Sequence, residues 1–397
     1  MRVSSSLFNT PVFKDALAEI EGLGFHVSDR STPGAIRYGI IGGRSNQRWW
    51  LVPLNDRRLT VSGLALFQPI VSSAKVLKSA AVMASTLGLS SVCLWEKVYI
   101  SGRSTLEEIF SEEGLCFAFF TGTDSPHRKV AVQIMDRDGR IKGFAKVSKN
   151  SSIKPLLKHE AQALDYLNTL DLQTGLIPKV LFSGETGSAE ILVTDSLKTA
   201  RTKTVTALND AHISFLQELA KKTVVPARAG DVPFVTSLRK RYVAVEKSLT
   251  NEWRNRFEKT LELIEGAEGG PGCSKRLAHG DFTPWNTFFV DGRLYVFDWE
   301  YASKECQVGH DLIHFVLSLR TVKRRTVGET IRQAKKVMRE SKISADDANP
   351  DCLFLSYLCA NSLHYIGRVS KANGQIIHWD GEQKAAVCLD AFIERKI

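Results

Sequence analysis

Asp291-Gly292 stands between two apolar runs, Thr287-Phe288-Phe289-Val290 and Arg293-Leu294-Tyr295-Val296-Phe297. Asp-Gly flanked by strand formers is the strongest short hairpin signal, because a tight two-residue turn needs positive φ at its centre. Such a turn fixes the register. Val290 faces Arg293, Phe289 faces Leu294, and Asn286 faces Phe297. Asp298 then lies beside Asn286 at the open end of the ladder. Paired strands are about 4.8 Å apart, so both side chains can reach one point. A side-chain carbonyl and a carboxylate meeting there are the hard oxygen ligands that Mg²⁺ takes.

Five residues before Asn286 stands Asp281, in His279-Gly280-Asp281-Phe282-Thr283-Pro284-Trp285-Asn286. A carboxylate at that spacing can accept the proton of an attacking hydroxyl. Singly, Asp281, Asn286 and Asp298 read as turn or cap residues. Together, with the hairpin between them, they read as one site. Phosphoryl transfer asks for metal ligands, a group that orients a hydroxyl, and cations on the phosphates. Lys146, in the strand Gly143-Phe144-Ala145-Lys146-Val147, is the cation candidate. Glu160 on the following helix is its candidate partner, with a solvated surface Glu as the rival reading. The turn Thr121 to His127, with Gly122 and Thr123, can cover phosphates with backbone N–H groups, or be an ordinary hairpin turn. Ile191 to Val193 leads into Thr194-Asp195-Ser196-Leu197, a connection whose backbone can bind a base.

The rest of the 397 residues sorts into three stretches. Residues 1–110 read as a separate small mixed α/β module. It has a helix over Pro11 to Leu23, strands near Gln47 to Leu54 and Leu59 to Phe67, a helix over Ser72 to Leu87 and a strand over Val92 to Ile100. Trp49 and Trp50 read as core or interface residues. Residues 111–197 read as a small β-rich lobe with one helix, His159 to Leu170. Residues 198–397 read as mainly helical, with helices over Ala211 to Lys222, Ser237 to Leu249, Glu252 to Ile264, Val327 to Glu340 and Leu353 to Val369.

The hydrophobic fraction is 43%, and no apolar run reaches the length needed to span a membrane. The N-terminus lacks the apolar core of a signal peptide. Seven scattered cysteines form no CxxC pair, which suggests reduced thiols in a cytoplasmic protein. The net charge of +10 favours anionic partners. The short basic clusters carry no nucleic-acid-binding motif.

The pattern His279-Gly280-Asp281 with Asn286 and Asp298 resembles the aminoglycoside phosphotransferase and choline kinase superfamily. Asp298-Trp299-Glu300-Tyr301-Ala302 and Gly309-His310-Asp311-Leu312-Ile313-His314-Phe315 resemble its choline/ethanolamine kinase branch. The resemblance covers about residues 115–397. It implies an α+β, two-lobed protein-kinase-like fold behind the N-terminal module, with ATP and Mg²⁺ as cofactors. Asp281 would be the catalytic base, and Asn286 and Asp298 the metal ligands. Lys146 and Glu160 would hold phosphates, with Gly122, Thr123, Asp195 and Leu197 lining the nucleotide. His279 and Asp311 would support the catalytic loop. Trp299-Glu300 stands where protein kinases have Phe-Gly, so the acceptor is expected to be a small-molecule hydroxyl: a sugar, a glycan precursor, or an amino alcohol such as choline or ethanolamine. Glu300 and Tyr301, with Trp379, could cage a quaternary ammonium, or be plain core residues. Aminoglycosides are polycations and fit a chain of +10 less well. An antibiotic kinase and a pseudokinase-like regulatory module are the alternatives. A third reading gives residues 1–110 a docking role at a membrane surface or an acidic polymer.

Overall fold

The computed structural model describes residues 7–43, 47–69, 72–89, 96–123, 127–203, 205–225, 234–267, 275–343, 349–373 and 381–394. Trp379 lies outside them. The architecture is α+β, a sheet-rich unit followed by a mainly helical one. The first unit comprises residues 1–169, 177–204 and 288–295, and the second comprises 170–176, 205–287 and 296–397.

The first unit is built on one nine-stranded sheet. Its strands are β1 (Phe25–Ser28), β2 (Ile36–Gly43), β3 (Arg48–Pro53), β4 (Lys97–Gly102), β5 (Cys116–Phe120), β6 (Val130–Met135), β7 (Ile141–Ser148), β8 (Val180–Thr186) and β9 (Ala189–Asp195). The order is β1-β4-β2-β3-β5-β6-β7-β9-β8, antiparallel throughout. The helices α1 (Pro11–Glu21), α2 (Arg57–Gly63), α3 (Ser72–Thr86), α4 (Thr105–Phe110) and α5 (Lys154–Asn168) complete the unit.

The chain does not part at residue 110. Strand β3 pairs with β5, Trp50 opposite Phe120 and Leu51 opposite Phe119. The Trp49 N–H donates to Thr121 Oγ1 at 3.1 Å, and the Thr121 N–H returns to the Trp49 carbonyl at 3.0 Å. One apolar core runs from Leu7, Phe13 and Trp49 through Phe117 and Phe119 to Ile191 and Val193. Phe25 packs edge-on against Phe117 and Phe119 at 5.1 and 5.5 Å. The sequence looked divided because each stretch has its own strands and turns. The edge of β3 and the alternating aromatics of β5 unite them.

Residues 59–67 are not a strand. Asp56 caps α2, its carboxylate accepting the N–H groups of Arg58 and Leu59. Leu59, Thr60, Gly63 and Leu64 are buried at helical spacing. Thr60 hides its hydroxyl by donating to the Pro53 and Asp56 carbonyls. β-Branched residues here follow burial on a helix rather than strand propensity.

Among the described residues of the second unit the longer helices are α6 (Asp210–Lys222), α7 (Phe234–Val245), α8 (Asn251–Ala267), α9 (His310–Ser318), α10 (Val327–Ser341), α11 (Pro350–Asn373) and α12 (Glu382–Ile393). The long α11 packs on α7, α8, α9, α10 and α12. A short strand pair, β10 (Arg276–Ala278) with β13 (Ser303–Cys306), brackets the His279–Ala302 segment. In sequence that segment contains the hairpin β11 (Thr287–Val290) and β12 (Arg293–Val296), whose residues 288–295 group with the first unit. Asp291 and Gly292 have φ of 47° and 80° at its turn. Phe288 stacks on Tyr295 at 4.6 Å, and the Phe297 N–H donates to the Asn286 carbonyl at 3.1 Å. Both contacts fit the register read from Asp-Gly.

Cys306, Cys352, Cys359 and Cys388 are buried free thiols. Among the described residues, no helix is long and apolar enough to cross a membrane.

A chain beginning at Ser111 would lose β1 to β4 and leave β5 as an open aromatic edge, a template for aggregation. It is expected to be insoluble, or to unfold without a cooperative transition when followed by circular dichroism. Cooperative unfolding at the full-length midpoint would show that residues 1–110 are dispensable for the fold.

Candidate active site

In the first unit the structure brings Lys146 and Glu160 together. Along β7, Ala145 and Val147 face the core, so Lys146 points to the other side of the sheet. Lys146 lies opposite Leu192 of β9, and Leu192 packs on Leu157 and Ala161 of α5. Glu160 projects from that same helix face. The Lys146 ammonium donates to both Glu160 carboxylate oxygens, at 2.6 and 2.5 Å. Glu160 is 2% exposed, so removing Lys146 would take the cation from a buried carboxylate, at a cost of about 3–5 kcal/mol.

The other residues assigned to the nucleotide are placed as follows. Gly122 has φ of 83°, and a Cβ there would come within 2.4 Å of the Lys129 carbonyl. The loop closes that tightly only with glycine. Thr123 is exposed, and residues 124–126 lie outside the described ones. The Asp195 carboxylate accepts the Lys179 N–H at 2.7 Å, and burial pushes its carboxyl up. Its side chain therefore ties the end of β9 to the residue before β8. Leu197 is exposed.

In the second unit the loop after β10 is held from below by Asp311, near the start of α9. This buried carboxylate accepts the His279 N–H at 2.6 Å and the Gly280 N–H at 3.0 Å. Burial pushes the Asp311 carboxyl up, and the two amides and the neighbouring histidines pull it back. Gly280 has φ of 82°, and a Cβ would lie 2.3 Å from the Tyr301 carbonyl, so no other residue fits. The His279 ring lies against Trp299, 4.4 Å between centroids. Its Nδ1 accepts the Asp281 N–H at 3.2 Å, so Nε2 bears the proton and donates to the Phe297 carbonyl at 2.9 Å. His279 thus ties the loop of Asp281 to the residue before Asp298. Asp298 itself sits at φ of 71°, a strained conformation for a non-glycine residue.

Asn286 donates its side-chain N–H groups to the Asp281 carbonyl and to Asp281 Oδ2, both at 2.9 Å. With the amide nitrogen committed to Asp281, Oδ1 is the atom left to act as a ligand. An amide carbonyl oxygen together with the Asp298 carboxylate is a fitting donor set for Mg²⁺. The described residues therefore suit the ion.

Two residues were missed in the sequence. His314 Nε2 stands 3.1 Å from Asp281 Oδ1, and His314 Nδ1 stands 2.9 Å from the Tyr357 hydroxyl. The Asp281 carboxylate can only accept, so Nε2 carries the imidazole proton and donates to it, and Nδ1 accepts from the Tyr357 hydroxyl, whose phenol burial pushes far up. Asp281 thereby has one oxygen held by Asn286 and the other by His314. His314 stands three residues after Asp311 on one helix, which puts both on the loop-facing side. That spacing was available as a signal. Tyr357 comes from a distant helix, and nothing local marks it.

Glu300 is buried, and the Tyr301 ring carries the Arg368 guanidinium at 4.5 Å. Burial raises the Tyr301 phenol most, Asp298 and Asp281 add to the rise, and Arg368 opposes it. Tyr301 therefore lies within electrostatic reach of both carboxylates. His212 caps the start of α6 with Asn209 and packs on Phe282 and Phe315, at 6.0 and 4.7 Å.

No family model matches the chain, and no curated protein matches it in sequence. Solved structures similar to it include a thermostable mutant of aminoglycoside phosphotransferase APH(4)-Ia in apo form, with 15% identity over 73% of this chain and 98% of that one, TM-score 0.47. ADP-bound APH(2'')-Ib has 16% identity over 74% and 97%, TM-score 0.45. The gentamicin complex of APH(2")-IIa has 15% identity over 73% and 94%, TM-score 0.40.

Two expectations follow. Burial lowers the His212 pKa from 6.5 to about 4. Above pH 6.5 neither folded nor unfolded chain holds this proton, and stability is full. Between 6.5 and about 4 the unfolded chain takes it up and the folded chain does not, so stability falls. His310, lowered to about 3 by burial, acts in the same direction. Urea unfolding across that range should show the fall, and His212→Gln should flatten it. In long-range ¹H–¹⁵N spectra, His314 should show a protonated Nε2 and a bare Nδ1, and Tyr357→Phe should shift that ratio. A protonated Nδ1 in the wild type would contradict the assigned direction of the Tyr357–His314 bond.

Proposed function

We propose that this chain is an ATP- and magnesium-dependent phosphotransferase that moves the γ-phosphoryl group to a hydroxyl of a small molecule. The observation that carries the reading is the Asp281 carboxylate held between Asn286 and His314, with the Asn286 carbonyl accepting the N–H of Phe297, the residue before Asp298. A carboxylate fixed at both oxygens orients a hydroxyl and accepts its proton. The freed oxygen bonds to the γ-phosphorus as the bond to the β–γ bridging oxygen breaks, and ADP leaves with that electron pair. Magnesium, held by Asn286 and Asp298, would supply charge neutralisation for the phosphates. Lys146, bonded to both Glu160 oxygens in the first unit, would serve as a phosphate-binding cation.

The resident groups favour an enzyme over a pseudokinase-like module, because base, metal ligands and lysine are all present. An uncharged or anionic acceptor, such as a sugar or a glycan precursor, suits the chain better than an aminoglycoside or a choline-like cation. Arg368 already occupies the Tyr301 face that a quaternary ammonium would need. Use of ATP and reduced thiols both fit the cytoplasm.

In an ADP-release assay over a panel of alcohols, Asp281→Asn should lose roughly 100- to 10,000-fold in turnover while nucleotide binding is kept. Asp298→Ala should weaken magnesium-dependent nucleotide binding, measured by calorimetry. An Asp281→Asn protein as active as the wild type would sink the reading.

A further inference from the structure

Arg368, on α11, has an unusual setting for a cation. Its guanidinium lies 4.5 Å from the Tyr301 ring centroid and 5.9 Å from that of Tyr365. It has no hydrogen-bond or ion-pair partner among the described residues. Ring contacts restrict a guanidinium's motion without satisfying its N–H donors as an oxygen acceptor would. Those donors form the fork that matches a carboxylate or a phosphate group. His364, edge-on to Tyr301 at 4.8 Å, adds no positive charge of its own, since burial and the neighbouring Arg368 push its pKa far down. Tyr301, against which Arg368 lies, is the residue that feels both Asp281 and Asp298.

We infer that Arg368 is the acceptor-binding cation of this site, and that the acceptor is an alcohol carrying an anionic group, a carboxylate or a phosphate ester. The inference rests on the phosphotransferase reading and specifies its acceptor. An anion on the in-plane edge of Arg368 would be anchored at Tyr301, leaving its hydroxyl to be presented to Asp281. A cationic acceptor would meet Arg368 as a like charge.

The test is calorimetry on the full-length protein saturated with Mg·ADP. Methyl phosphate and acetate serve as the two anionic probes, and tetramethylammonium as the cationic one. At least one anion should bind the wild type, and which one it is distinguishes phosphate ester from carboxylate. Arg368→Met should weaken that binding about 10- to 100-fold, the loss expected for a charged hydrogen-bonded contact. Should the Met variant fail to fold by circular dichroism, Arg368→Lys keeps the charge, loses the fork, and should still weaken binding. Failure of the wild type to bind Mg·ADP would take down the kinase reading together with this inference. Mg·ADP binding with tetramethylammonium bound, or with anion binding that ignores position 368, would overturn the inference alone.

Discussion

The carboxylate of Asp311 is the constraint on which the second unit's chemistry depends. Its two oxygens accept the consecutive amides of His279 and Gly280, so the backbone that leads into Asp281 has one position. A buried carboxylate is costly unless its oxygens are satisfied, and two backbone amides satisfy this one directly. The same helix then delivers His314 to Asp281. One helix thus fixes both the loop and the side chain it carries. His279 extends the constraint sideways, since its two ring nitrogens link the Asp281 amide to the Phe297 carbonyl. The proposed base and the proposed metal ligands are therefore set by a short bonded path rather than by loop packing.

The parts of this site that are close in sequence were readable there. The Asp291-Gly292 turn gave the register, and that register determines which residue accompanies Asn286. The seven residues from Gly309 to Phe315 hold both Asp311 and His314 at the i, i+3 spacing of one helix face. Lys146 was legible as a strand cation needing a partner, because its neighbours alternate into the core. Tyr357 and Arg368 were not legible. Each acts on the loop from α11, more than fifty residues downstream of Asp298, and each looks locally like any residue of a buried helix.

The fold shows the same division between local and non-local information. Most helices were visible by period, with ends shifted by a few residues. The strand Val180–Thr186 was missed because its apolar alternation is weak: half-buried residues alternate with exposed ones at an outer strand of the sheet. Residues 59–67 were misread because their apolar and β-branched content was weighed above the Asp56 cap that starts a helix. The nine-stranded sheet could not be foreseen from segments at all. Pairing of β3 with β5 joins residues about seventy positions apart, and no local propensity encodes which edge meets which.

The resemblance to choline and aminoglycoside kinases pulled the acceptor towards cations, and the residues around Tyr301 pull it the other way. A tyrosine near two carboxylates would be a good seat for a quaternary ammonium if its face were open. Here that face carries a guanidinium, which brings the same charge as the expected ligand and already takes the cation–π contact. A cation on the ring of a tyrosine that feels both carboxylates, itself without a hydrogen-bond or ion-pair partner among the described residues, is placed to draw an incoming anion to a centre that would otherwise repel it. The net charge of +10 points the same way at longer range. The shared motif therefore bears on how phosphate would be handled, and Arg368 on what would receive it.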